Sequence, residues 1–174
     1  MTWRRSLPWL VLFAALGAVG AGILGPLGGG SRSVSPGGRM EGRVTRVVDG
    51  DTVKVWLGGR PQTVRYIGMD TPETVKPNTP VQCFGKSASA ENAHLVGGAR
   101  VTLRLGAEPR DRYGRLLAYV YRGRDGLFVN AALVRGGFAR TLTIPPNVAH
   151  ARELGRLQAA AHAAGRGLWG ACGG

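Results

Sequence analysis

Three observations predict an α+β fold, mainly β: a five-stranded barrel of the OB type with three helices, preceded by an apolar N-terminal helix. From about residue 40 on, short segments alternate apolar and polar residues with the period of a strand. The elements run three strands, one helix, two strands, two helices. A helix between the third and fourth of five short strands is the OB arrangement, and such strands suit a small closed barrel.

Each element has its own signal. Val44–Val48 is β-branched and apolar. Thr52–Leu57 alternates, with Val53, Val55 and Leu57 on one face. Leu57-Gly58-Gly59-Arg60 reads as a hairpin turn. Gln62–Met69 reads as one strand, with Arg65, Ile67 and Met69 on one face and Val64 and Tyr66 on the other. Pro72, Pro77 and Pro80 make Thr71–Val81 a loop. Lys86–Val96 is a helix stopped by Gly97-Gly98. Arg100–Leu105 and Leu116–Tyr121 are the fourth and fifth strands. Leu127–Arg135 is a short helix ending at Gly136-Gly137. Ile144-Pro145-Pro146-Asn147 is a break, and Ala149–Ala164 is the last helix.

Upstream, Arg4 and Arg5 precede an uncharged run from Ser6 to Ser31 with an apolar core over Leu7–Leu24. Such a start is the signal-peptide pattern and predicts export. The run is also long enough to span a bilayer, so residues 1–27 read as a cleaved signal or a retained membrane anchor, the anchor lying over residues 6–27. Residues 28–40, rich in Gly and Ser, read as a linker, and 41–174 as the domain.

The chain of 174 residues carries 23 Lys+Arg against 10 Asp+Glu, a net charge of +13. Arg4, Arg5, Arg32 and Arg39 precede every acid, so residues 40–174 keep 19 bases against 10 acids, a net +9. A basic domain attracts polyanions: nucleic acid, anionic lipid or acidic polysaccharide. The two cysteines, Cys83 and Cys172, have no zinc-like spacing. They could pair in an oxidising compartment or stand as thiols; the sequence gives no distance between them.

Carboxylates are scarce, so their clustering is informative. Asp49-Gly50-Asp51 sits at a strand-to-strand turn, and Asp70-Thr71-Pro72-Glu73 follows the third strand. If the Gly58-Gly59 hairpin pairs strands two and three, Asp51 and Asp70 approach at the same end. Oxygen donors gathered there suit a hard cation such as calcium. Each turn alone is an ordinary turn sequence. Together, flanking one strand pair, they point to a site. Arg65 interrupts an apolar pattern beside it, and Arg115 closes the turn Asp111-Arg112-Tyr113-Gly114-Arg115. Two arginines beside a metal could neutralise a phosphoryl transition state, with Glu73 taking a proton from water. His94, His150 and His162 stand near no second chemical group in sequence. That argues against a two-histidine ribonuclease, a histidine zinc site and a Ser-His-Asp triad.

Four motifs now stand in order: Val48-Asp49-Gly50-Asp51-Thr52-Val53, Arg65…Asp70-Thr71-Pro72-Glu73, Asp111–Tyr119 and Asn130–Gly137. Together they resemble the thermonuclease (staphylococcal nuclease) family, from about Glu41 to Trp169. The resemblance implies one calcium ion held by Asp51, Asp70 and the backbone carbonyl of Thr71, with Asp49 close by. It implies Glu73 as general base, Arg65 and Arg115 as phosphate-binding arginines, and Tyr113, with Arg112 beside it, as substrate contacts. The implied reaction is endonucleolytic hydrolysis of DNA and RNA to 3′-phosphate products; a monomer is the simplest expectation. One departure is Arg140–Asn147, which holds no aromatic where the best-known member has tyrosines; base stacking there is expected to differ. The competing expectations are a non-catalytic OB module that only binds nucleic acid, and an anchored protein that binds an anionic surface.

Overall fold

A computed structural model describes residues 34–74 and 80–173. The apolar run at residues 6–27, with the expectation of a signal or anchor, lies outside the described residues. So do the linker residues up to 33.

The barrel is built as the alternation predicts. Strands β1 (Arg39–Val47), β2 (Thr52–Leu57), β3 (Arg60–Tyr66), β5 (Arg100–Arg110) and β6 (Leu116–Arg122) close in the order β1-β2-β3-β6-β5. The β3–β6 pair is parallel and the others antiparallel. Val53, Val55 and Leu57 point in, as do Val101, Leu103 and Leu105, and Leu116, Ala118 and Val120; all are buried. Lys54 and Trp56 point out. Gly58 and Gly59 both have positive φ, 53° and 84°. The tight hairpin that pairs Leu57 with Arg60 needs that conformation at both positions.

The third strand is a correction. It does not run unbroken to Met69. Gly68 has φ 82°, and β3 ends at Tyr66. After Ile67, a three-residue strand β4 (Gly68–Asp70) pairs with β7 (Arg140–Leu142) in a separate two-stranded sheet. The alternation therefore restarts at Gly68. Met69 joins Val64 and Tyr66 in the same core rather than sharing a face with Arg65. A side chain at position 68 would also meet Leu154, with its Cβ 2.6 Å from Cδ1 of that residue.

Helices α1 (Gly85–Val96), α2 (Val129–Arg135) and α3 (Ala151–Ala163) match the three predicted ones to within two residues. A one-turn α4 (Leu168–Ala171) and the short β7 carry no periodic signal and were not foreseen. Strand β1 begins earlier than predicted, at Arg39, and β5 runs on to Arg110.

Buried asparagines join these pieces. Asn130 on α2 accepts from Val120 N–H (2.9 Å) and donates to Ile67 C=O (2.9 Å). That carbonyl lies where β3 breaks, so the amide satisfies the backbone that the break exposes. Asn147 closes a similar pair with the backbone of Glu108, both bonds 2.9 Å. Replacing Asn130 by Ala would leave two buried backbone groups without partners. We expect a loss of about 2–6 kcal/mol in urea unfolding, since each of the two orphaned groups costs about 1–3 kcal/mol.

Candidate active site at the barrel rim

The β1–β2 turn is folded by its own side chains. Asp49 Oδ1 accepts the Asp51 N–H at 3.0 Å, and a second residue holds the turn from below: Asn92 on α1 donates to Asp49 C=O at 2.9 Å. Asn92 in turn accepts from the Tyr66 hydroxyl at 3.0 Å. Gly50 permits a close approach, because a Cβ there would lie 2.6–2.7 Å from the Thr71 side chain.

Asp51 is the centre of the rim. It is 5% exposed. Its Oδ1 accepts from the Thr52 hydroxyl at 3.0 Å. Its Oδ2 accepts from the Thr71 N–H (2.9 Å) and hydroxyl (3.0 Å), and pairs with Arg65 Nη1 at 2.7 Å. The other end of the Arg65 guanidinium reaches Asp70 Oδ1 at 2.5 Å. One cation thus bridges two carboxylates, one from the β1–β2 turn and one from β4.

Burial, together with the charge of Asp51, pushes the Asp49 carboxyl up from its ordinary 3.8 to about 6. Burial also raises Asp70; Arg65 opposes that rise, while Asp51 and Glu73 add to it. Negative charge is therefore crowded at this rim. Among the described residues, no three His, Cys, Asp or Glu side chains form a ready metal cluster. The donors present are two carboxylates, Asp51 and Asp70, with the neutral oxygens of Thr71 adjacent. This oxygen-only set, partly relieved of its charge by Arg65, fits a hard divalent cation as an incomplete shell.

Arg115 is set by the turn before β6. Asp111 Oδ1 accepts from Tyr113 N–H (3.0 Å) and Arg115 N–H (2.9 Å), and its Oδ2 pairs with Arg115 Nε at 2.7 Å. The pairing uses Nε, and the two Nη atoms make no hydrogen bond among the described residues. Glu73 is held through its backbone. Its N–H donates to Gln82 Oε1 (2.8 Å) and its C=O accepts from Gln82 N–H (3.0 Å). Its own Oε1 accepts from Thr74 N–H at 2.8 Å.

These groups converge. Asp49, Asp51, Arg65, Asp70, Glu73 and Arg115 line one polar cavity of about 350 Å³, completed by Thr71 and its neighbours. Tyr113 and Arg112 lie outside it. Tyr113 is 68% exposed, with its ring beneath the guanidinium groups of Arg112 (4.8 Å) and Arg115 (5.5 Å). Both residues border an adjoining cavity of about 450 Å³ that shares Arg65 and Arg115 with the first. Its far wall includes Leu142 and Ile144, so the aromatic-free stretch 140–147 contributes an apolar surface there. Cys83 and Cys172 form a disulfide that ties the residue after Gln82 to the end of α4. The sequence reading missed Gln82, Asn92 and Asp111. Only Asp111 had a local signal, its four-residue spacing from Arg115.

The fold and rim define a class: a small OB-type barrel with a carboxylate–arginine cleft at one end. The model of the family described as staphylococcal nuclease homologue matches residues 63–171. A thermonuclease of Staphylococcus intermedius is 51% identical over 104 residues, 60% of this chain and 61% of that protein. A thermonuclease of Staphylococcus hyicus is 41% identical over 127 residues, 73% of this chain and 74% of that protein. The endonuclease YncB of Bacillus subtilis is 49% identical over 96 residues, 55% of this chain and 44% of that protein. The chain belongs to the staphylococcal nuclease family.

Because folding lifts the Asp49 pKa, its ionisation opposes folding once pH exceeds the unfolded value of 3.8, and fully so above about 6. In chelator, Asp49→Asn should match the parent at pH 4 and exceed it in melting temperature at pH 7. Equal melting temperatures at both pH values would show that burial of Asp49 carries no such cost.

Proposed function

We propose that this protein is a calcium-dependent endonuclease that hydrolyses phosphodiester bonds of DNA and RNA to 3′-phosphate products. The observation that carries the reading is the convergence of Glu73, Arg65 and Arg115 with Asp51 and Asp70 on one cleft. The nuclease names of the relatives support the reaction class. Calcium would be held by Asp51, Asp70 and the Thr71 carbonyl, and when bound would polarise a phosphate oxygen and offset the negative charge.

The chain's own residues divide the remaining work. Arg115 has its Nε fixed by Asp111, which leaves its Nη donors available to phosphate oxygens. Arg65 carries the second guanidinium. Both oppose the negative charge that builds on the phosphorus-bound oxygens as water adds. Glu73 takes the proton of that water, and the backbone clamp from Gln82 limits where its carboxylate can move. Tyr113 and Arg112 extend the contact to substrate along the neighbouring cavity. The disulfide suits an oxidising compartment and supports export of the domain, as a secreted or membrane-anchored monomer.

The test is cleavage of single- and double-stranded DNA and of RNA by the full chain, with calcium and then with chelator. Calcium-dependent cleavage is expected. Glu73→Ser should lower kcat by about 10²–10⁴-fold, the range of general-base catalysis. Arg115→Ala should lower it by about 10²–10³-fold. Intact nucleic acid under calcium, with a band shift in its place, would replace the enzyme by a binding module.

A further inference from the structure

The outer face of β1 is unusual in its charge. Antiparallel pairing sets Arg39 opposite Arg104, Arg43 opposite Arg100, and Arg46 opposite Lys54. All six side chains are exposed. Like charges directly opposite each other across a ladder destabilise it. Glu41 offsets part of this by pairing with Arg39 at 2.9 Å. Among the described residues, Arg43 and Arg100 make no ion pair.

The same row holds an aromatic. Trp56 on β2 is the register partner of Arg43, so Trp56, Arg43 and Arg100 lie side by side across three strands. Trp56 is 50% exposed and is the only large exposed apolar residue of this face among the described residues. The row borders a groove of about 930 Å³, whose floor includes Gly42, Gly97, Gly98 and Gly123 and whose far side carries Arg124. The groove shares no lining residue with the carboxylate cleft. Along β2, Trp56 stands about 17 Å from Asp51, five residues at the rise of a strand.

We propose that this groove is a second, non-catalytic binding site for single-stranded nucleic acid, with phosphates on Arg43 and Arg100 and a base against Trp56. The identity of the polymer rests on the nuclease reading above. Polyanion binding explains why three like-charge pairs persist on one exposed face: phosphate neutralises what the strands set against each other. An arginine row with an interleaved aromatic serves a chain of alternating phosphates and bases. An anionic bilayer is the weaker fit, because it is flat, whereas this surface is concave and presents one apolar side chain. A strand held here and cut at the distant rim would remain bound between cuts.

The experiment uses the full-length oxidised protein and a fluorescent dT oligonucleotide of about 30 nucleotides, several times an OB-fold site. Binding is read by anisotropy in chelator over a range of salt. Trp56→Ala should weaken it by about tenfold, with Trp56→Phe retaining most of the affinity. Arg43→Glu with Arg100→Gln should flatten the plot of log affinity against log salt by about 1 or more. Arg43→Glu alone sets a carboxylate opposite Arg100, so its melting temperature should hold or rise while binding falls. In calcium, these variants should raise KM for the oligonucleotide and leave turnover of a dinucleotide unchanged.

Parent-like binding by the variants overturns the proposal, as does equal loss on the dinucleotide. It is also overturned if the variants lose binding to phosphatidylserine–phosphatidylcholine vesicles while keeping the oligonucleotide, which would make the face a membrane contact. If the parent binds the oligonucleotide through these residues yet cleaves neither substrate with calcium, the groove stands and the nuclease reading falls.

Discussion

The carboxylate of Asp51 is the contact on which the rest of the rim depends. It is buried, and a buried carboxylate is tolerated only when donors surround it. Those donors come from its neighbour Thr52, from Thr71 twenty residues on, and from Arg65. Satisfying one side chain thus locks the β1–β2 turn to the segment that follows β3. Asp70 and Glu73 leave that segment, so their positions follow from the same bonds. Remove the carboxylate, and Arg65 loses one of its two anionic partners while the Thr71 N–H loses its acceptor.

The break at Gly68 is the second constraint. A regular strand through Met69 would keep Asp70 in the barrel wall. The positive φ at Gly68 takes the chain out of the barrel after Tyr66 and pairs it with β7 instead. Asn130 meets the carbonyl at the exit, and Leu154 fills the space that a side chain at 68 would need. Arg65, on the last turn of the strand before that exit, can then reach both Asp51 and Asp70. The polar cleft exists because one strand ends at Tyr66, before its hydrophobic pattern does at Met69.

Charge is divided unevenly over the molecule. The domain is strongly basic, yet much of its small stock of acids meets at one rim, where burial raises Asp49 and Asp70. Along the outer face of β1, arginines stand opposite basic partners on β2 and β5. Such a layout draws a polyanion to the surface and reserves the carboxylates for the point where a cation can join them. On the proposed reading, the negative backbone and the scissile bond of a nucleic acid would engage different parts of the same small barrel.

The alternation of β2, β5 and β6, the Gly58-Gly59 hairpin and three of the helices were legible in the sequence, because period, propensity and turn chemistry are written among neighbours. Asp51, Arg65, Asp70, Glu73 and Arg115 were legible as candidates because acids are scarce and sit in motifs. The end of β3 at Tyr66 was not. Gly68 looks like any glycine in a strand until Ala118, Asn130 and Leu154 are seen around it. Neither β7 nor α4 has a residue pattern of its own; β7 forms because β4 lies beside it. Asn92 and Gln82 had no local mark, since their partners, Asp49 and Glu73, lie far along the chain or across a loop. Sequence determined which residues could form strands, turns and a site. Only tertiary structure decided which of them meet, because burial and hydrogen-bond satisfaction depend on distant partners that no local pattern encodes.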